Sequence, residues 1–342
     1  NPVNGSFLLP KTAIEAVLIY LKHAILLAGF LRRGRTLKKA LLVVCLLFFA
    51  SNVYAQSFEV FNRKSFVKPG DVLVARVAPD LIGKNFLGLH IFDRDYPVNE
   101  KGYVFVGVDV NQKPASYIAY LVEYREIQKP KQYDFYYARI DVVEADFGES
   151  WYVGPIRPRS EAVKKQRAKE NAIKDDAYKN ANLFENYTTG SFEYPLLNIE
   201  ITDNFGTPRL YGSRDRKTKK IKIQQIVNHA GTDLRARTPQ PVLAINSGRV
   251  LLARNFPLGG TEGNMLIIDH GSGVISLYLH LSKFKVKVWD TVKKGQVVAL
   301  TGATPRGASP HLHFMIKVHG VNVDPLAFID TINSALPYGE NQ

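Results

Sequence analysis

Histidines and one aspartate hold the chemistry of this chain. Five of its eight histidines lie between His229 and His313. His229 and Asp233 fall in His229-Ala230-Gly231-Thr232-Asp233, and His311 and His313 in Pro310-His311-Leu312-His313-Phe314. In an extended strand residues i and i+2 share a face, so His311 and His313 project together. One can ligate a metal while the other faces substrate. His229 and Asp233, four apart, would share a face on a helix, but Gly231 between them favours a turn that folds both inward. Two imidazoles and one carboxylate around an open fourth position are a catalytic zinc donor set, in which a water molecule is acidified and becomes a nucleophile. His280, in Leu277-Tyr278-Leu279-His280-Leu281, shares a face with Tyr278 if that strand is regular, and could take the proton of the water or stabilise an oxyanion. Each histidine alone reads better as a half-buried strand residue; the ordered strings argue against that for the set.

These residues must be positioned by the last third of a 342-residue chain, which is long enough for two domains. Residues 1–55 read as a leader. Arg32, Arg33, Arg35, Lys38 and Lys39 precede the apolar run from Ala40 to Ala50, and Ser51 to Ala55 is a small, polar exit. That order predicts a secretory signal peptide cleaved after Ala55, with a membrane anchor as the alternative if it is retained. The apolar stretch from Ala13 to Phe30 is set aside from fold reasoning. Cys45 is the only cysteine, so a chain cleaved after Ala55 has no disulfide. The formal charge is +14, of which residues 1–55 contribute +6 and the remainder +8. This surplus favours anionic surfaces; without zinc-finger spacing or an RNA-binding signature, nucleic acid is not expected as a partner.

Residues 56–156 read as a β-sandwich-like domain, from period-two runs such as Val104, Val106 and Val108 between turn residues. His90, between Leu89 and Ile91, is expected as a packed core histidine. Residues 157–192 read as a basic helical connector with Ser160 as N-cap and a thin apolar stripe. Residues 193–335 form a second β-rich domain, with Gly271-Ser272-Gly273 as a hairpin turn and Lys293-Lys294-Gly295-Gln296 as another. Arg214, Arg216, Lys217, Lys219, Lys220 and Lys222 form a basic run ahead of His229, either a solvated hairpin or a contact for an anionic wall polymer.

The strings His229-x-Gly231-x-Asp233, Tyr278-x-His280 and His311-x-His313 resemble the M23 peptidases, the LytM or lysostaphin-like zinc endopeptidases. Phe205-Gly206, Gly263-Asn264, Asp269-His270-Gly271, Gly295-Gln296 and Gly302-Ala303-Thr304 extend the resemblance over residues 193–330. It implies a mainly β fold with a C-terminal LytM-type peptidase domain and one zinc ion held by His229, Asp233 and His313. His280 and His311 would be the catalytic histidines, and His270 a structural turn residue. The implied substrate is the peptide part of bacterial peptidoglycan, and the implied location the periplasm. The chain departs from the family at Pro305 and Ser309, where glycines are usual, which bears on the groove more than on the donors. The competing reading is a non-catalytic or autoinhibited module of this fold that binds the wall or activates another hydrolase. Asp203 or Asn204 would then occupy the fourth zinc position.

Overall fold

The computed structural model describes residues 58–60, 66–78, 81–82, 86–124, 130–156, 158–256, 262–305 and 309–335. The leader and Cys45 lie outside the described residues, as do Arg306, Gly307 and Ala308 of the departing loop. Ser57–Gln342 form one compact unit, mainly β, with two helices among the described residues, Glu161–Lys179 and Pro325–Ala335.

The N-terminal half packs two sheets face to face. One has five strands, in the order Phe66–Val67, Pro130–Val142, Ala115–Tyr124, Phe86–Ile91 and Arg94–Pro97; the other has three, Phe58–Val60, Val72–Val77 and Tyr103–Gly107. Strand alternation decides what each side chain meets. Leu73, Ala75 and Val77, with Val104 and Val106, point into the sandwich core against Leu89, Ile91 and Leu121. Val72 and Val74, with Tyr103 and Phe105, point the other way, into the core of the C-terminal half beside Phe192 and Phe328. The three-stranded sheet is therefore the middle layer of the unit. This explains why Val72–Val77 is buried at five of six positions, where a half-exposed strand would alternate.

His90 is not the core residue expected. It is half-buried, bonds Asp95 across the Phe86–Ile91/Arg94–Pro97 hairpin and stacks on Tyr120. Its neighbours Leu89 and Ile91 take the inward positions, so alternation turns His90 outward.

The helix runs over Glu161–Lys179, with the Ser160 hydroxyl accepting from the Val163 amide as its N-cap. Ile173, Ala177 and Tyr178, in its C-terminal half, join the cluster of Leu251, Met265 and Met315 on the sheet. Lys174 pairs with Glu262, both largely shielded from water.

The C-terminal half is organised on a sheet whose path runs Ile201–Asp203, Thr232–Arg235, His311–Val318, Val274–Leu281, Gly263–Asp269, Gly248–Phe256 and Thr291–Val292. One face packs Leu234, Leu266, Tyr278, Leu312 and Phe314 into the larger core. The other carries Ile267, Leu277, Leu279 and Met315, under the helix. The turns expected at Gly271-Ser272-Gly273 and Lys293–Gln296 are present, the first joining the antiparallel pair Gly263–Asp269 and Val274–Leu281. The basic run lies at the end of the hairpin Pro208–Arg214/Ile221–Asn228, which pairs with Trp151–Gly154 and stands largely exposed.

Candidate metal centre

The site forms on the helix-bearing face of this sheet, at its edge. Directly opposed residues of neighbouring strands share a face. Asp233 opposes His313, and His313 opposes Leu279. The alternation of His311–Val318 thus sends Leu312 and Phe314 into the core and His311 and His313 to the site. His229 follows the strand Ile221–Asn228, and Gly231 brings it back over His313. Gly231 is not needed there for a left-handed backbone. A Cβ at this position would lie 2.4 Å from the Phe314 carbonyl and 2.5 Å from Met315, so its hydrogen permits the close approach of two backbones.

His280 would face away if its strand were regular, on the core side with Tyr278. It does not. The pairing of Val274–Leu281 with Gly263–Asp269 slips between Asn264 and Leu266, and His280 sits in the bulge with φ of 64°. Tyr278 is fully buried and bonds Ser276 and the Ile245 amide, while the His280 ring turns to the site, 4.5 Å between centroids from His311. The expected shared face of Tyr278 and His280 is thus overturned by one left-handed residue.

Three donor atoms converge. His229 Nε2 lies 3.1 Å from His313 Nδ1 and 3.3 Å from Asp233 Oδ1, and His313 Nδ1 lies 2.7 Å from the same oxygen. Among the described residues this is the group able to hold a metal ion. Donors about 2.0–2.2 Å from a tetrahedral zinc lie about 3.3–3.6 Å apart, so the triangle fits with little outward movement. His311 Nε2 stands 3.7 Å from Asp233 Oδ1.

Backbone carbonyls select which ring nitrogen each histidine presents. His229 Nδ1 donates to the Asn204 carbonyl at 2.8 Å, His280 Nδ1 to Thr304 at 2.6 Å and His311 Nδ1 to Ser309 at 2.7 Å. Each Nε2 is left as the free lone pair facing the centre. Thr304 and Ser309 bracket the loop in which this chain departs from the M23 pattern. These acceptors are backbone groups, which residue type does not reveal.

Electrostatics supports the same states. Burial pushes the Asp233 carboxyl up, but hydrogen bonds and charge from His229 and His313 more than reverse this and hold it well below the usual carboxylate range. Burial, then repulsion from His311 and His313, brings His280 down to about 4. Burial also lowers His313. The centre thus joins an ionised Asp233 carboxylate to His280 and His313 rings whose charged form burial disfavours, a state suited to metal ligation.

Asp203 and Asn204 meet His229 at Nδ1, the edge turned away from the donor triangle, so these contacts do not fill a fourth position. His270 is wholly enclosed, bonded to the Ser247 carbonyl and Ser276 hydroxyl. His319 is half-buried, edge-on to Tyr96 of the N-terminal half.

Residues 227–325 match Peptidase family M23. The Vibrio cholerae peptidoglycan DD-endopeptidase ShyB is 41% identical over 110 residues, 32% of this chain and 25% of ShyB. The chain thus spans a quarter of that relative. Lipoprotein NlpD of Yersinia enterocolitica is 38% identical over 97 residues, 28% of this chain and 97% of that sequence. The solved catalytic domain of the antimicrobial peptidase lysostaphin from Staphylococcus simulans is 30% identical, with a TM-score of 0.31, covering 39% of this chain and 93% of that one. The family match over residues 227–325, with 38% identity across 97% of Lipoprotein NlpD, makes this chain a member of peptidase family M23.

Proposed function

We propose that the chain is a zinc endopeptidase that hydrolyses peptide bonds in the crosslinks or stem peptides of bacterial peptidoglycan. The observation that carries this reading is the convergence of His229 Nε2, Asp233 Oδ1 and His313 Nδ1 beside two further imidazoles whose Nε2 atoms are left free. ShyB, described as a peptidoglycan DD-endopeptidase, supports the substrate class. His229, Asp233 and His313 would hold one zinc ion per chain, and when bound it supplies Lewis acidity at the open position. His280 and His311 do the remaining work. A neutral His280, anchored through Nδ1, accepts a proton at Nε2 as water attacks the scissile carbonyl. His311, anchored in the same way, must carry a proton at Nε2 to donate toward the oxygen on which charge develops. Asp233, ionised and acceptor-only, balances the charge.

The leader pattern and a wall substrate together support export to the periplasm, or an anchored form if the leader is retained. The basic run Arg214–Lys222 would contact an anionic wall polymer beside the groove.

Digestion of purified peptidoglycan tests the reading. Soluble muropeptides should appear, stop on chelation and return on zinc addition. Intact peptidoglycan under all three conditions, with zinc bound, would leave a wall-binding or activating module in its place.

A further inference from the structure

Asp203 and Arg209 are interleaved with two of the three donors. Asp203 ends the strand Ile201–Asp203 opposite Asp233. Its side chain is 5% exposed, and Oδ2 accepts from Arg209 Nη2 at 2.6 Å while lying 3.3 Å from His229 Nδ1. Oδ1 has no hydrogen-bond partner among the described residues. Arg209 Nη2 reaches on to 3.7 Å from Asp233 Oδ2. Asp233 thus turns one oxygen to His229 and His313 and the other to a guanidinium.

A buried carboxylate with one partner and an empty oxygen is a poor stabilising device, because desolvation offsets most of the attraction. Its position suggests another use. We propose that Asp203 is a positioning residue of the metal centre: it holds the Arg209 guanidinium off Asp233, keeping that carboxylate available to a divalent cation, and sets a negative charge beside the His229 ring edge that donates to Asn204. The proposal rests on the zinc reading above.

Two effects act in one direction. A cation at Nε2 acidifies the Nδ1–H that donates to Asn204, and the Asp203 carboxylate 3.3 Å from Nδ1 stabilises the positive charge so induced. A guanidinium is also a fixed cation that competes for any carboxylate within reach. Asp203 gives Arg209 the nearer counter-ion, at 2.6 Å against 3.7 Å. The pair is neutral, so the charge offered to the metal is that of Asp233.

The test is the zinc dissociation constant of the full chain, read by competition with a chromogenic chelator at fixed pH and ionic strength, alongside the melting temperature without metal. Asp203→Asn should weaken zinc binding about 10–100-fold, the range typical of lost outer-shell partners. Asp203→Asn with Arg209→Gln should recover much of that loss, because the competing cation is gone. Arg209→Gln alone should bind zinc as tightly as the parent or more tightly. A purely structural pair would instead weaken binding in all three variants, in step with melting temperature. The proposal is overturned if Asp203→Asn binds like the parent, or if the double variant is no tighter than the single. Should Asp203→Asn not fold, Arg209→Gln decides, and tenfold weaker binding there overturns it. A parent chain that binds no zinc would fail the metal reading itself, and this inference with it.

Discussion

His280 shows how one residue departs from its strand to make a site. Its φ of 64° is unfavourable for any side chain with a Cβ, by roughly 1–2 kcal/mol. The conformation is held by the His280 amide donating to the Glu262 carbonyl and by the ring donating to Thr304. Glycine suits that backbone, which gives a clean substitution. His280→Gly should keep the fold and the zinc while peptide hydrolysis falls about 10²–10⁴-fold, the usual worth of a positioned general base. Unchanged turnover at equal zinc occupancy would remove His280 from the mechanism. The three donors were legible at this scale, because His229, Asp233 and His313 stand in chemically conspicuous strings. The orientation of His280 was not, since alternation alone places it with Tyr278 and no residue type marks a left-handed bulge. Nor was Asp203 legible as a neighbour of His229 Nδ1, because that contact depends on the register of Ile201–Asp203 against Thr232–Arg235.

Among the elements, the helix Glu161–Lys179 carries more than its thin stripe suggested. Its N-cap was readable from Ser160. Its docking was not, because three residues near its C-terminal end, Ile173, Ala177 and Tyr178, do the packing. Lys174 adds an ion pair to Glu262, whose carboxyl burial pushes up and this partner pulls below the usual range. Among the described residues, Glu262 Oε2 is already without a hydrogen-bond partner. Lys174→Met should therefore leave a shielded carboxylate uncompensated and lower stability by about 2–3 kcal/mol, below the full range for wholly buried pairs because both side chains keep some exposure. Urea unfolding measures this. Because the Glu262 carbonyl fixes the His280 amide, kcat should fall more than zinc affinity. Equal loss of both would place the effect on the donors instead.

Across the whole molecule, the three-stranded sheet joins the two halves. Val72, Val74, Tyr103 and Phe105 belong to the same core as Leu312, Phe314 and Phe328. The strands were visible in sequence, but their second buried face was not, because continuous apolar runs hide which partner each side meets. Phe105→Ala should cost about 3–5 kcal/mol and lower a single unfolding transition shared by both halves. Two separate transitions, with only the first shifted, would contradict a common core. The same interface bears on pH. Burial, helped by the Arg94 charge, lowers His319 to about 4, and burial alone lowers His270 to about 4. A depressed folded-state pKa means that the unfolded chain binds protons first as pH falls. The stability these neutral rings contribute is full above about pH 6.5 and is lost as pH falls toward 4. Each ring contributes up to about 3 kcal/mol to that decline. His319→Gln should flatten the fall in stability between these limits, and an unchanged slope would exclude His319 as a source.

The most direct measurement of the central claim is zinc content together with muropeptide release, for the chain and for His313→Ala. One zinc per chain and crosslink cleavage, both lost in the variant, are the results this account predicts. A parent chain that purifies without zinc and takes up none on addition would contradict it.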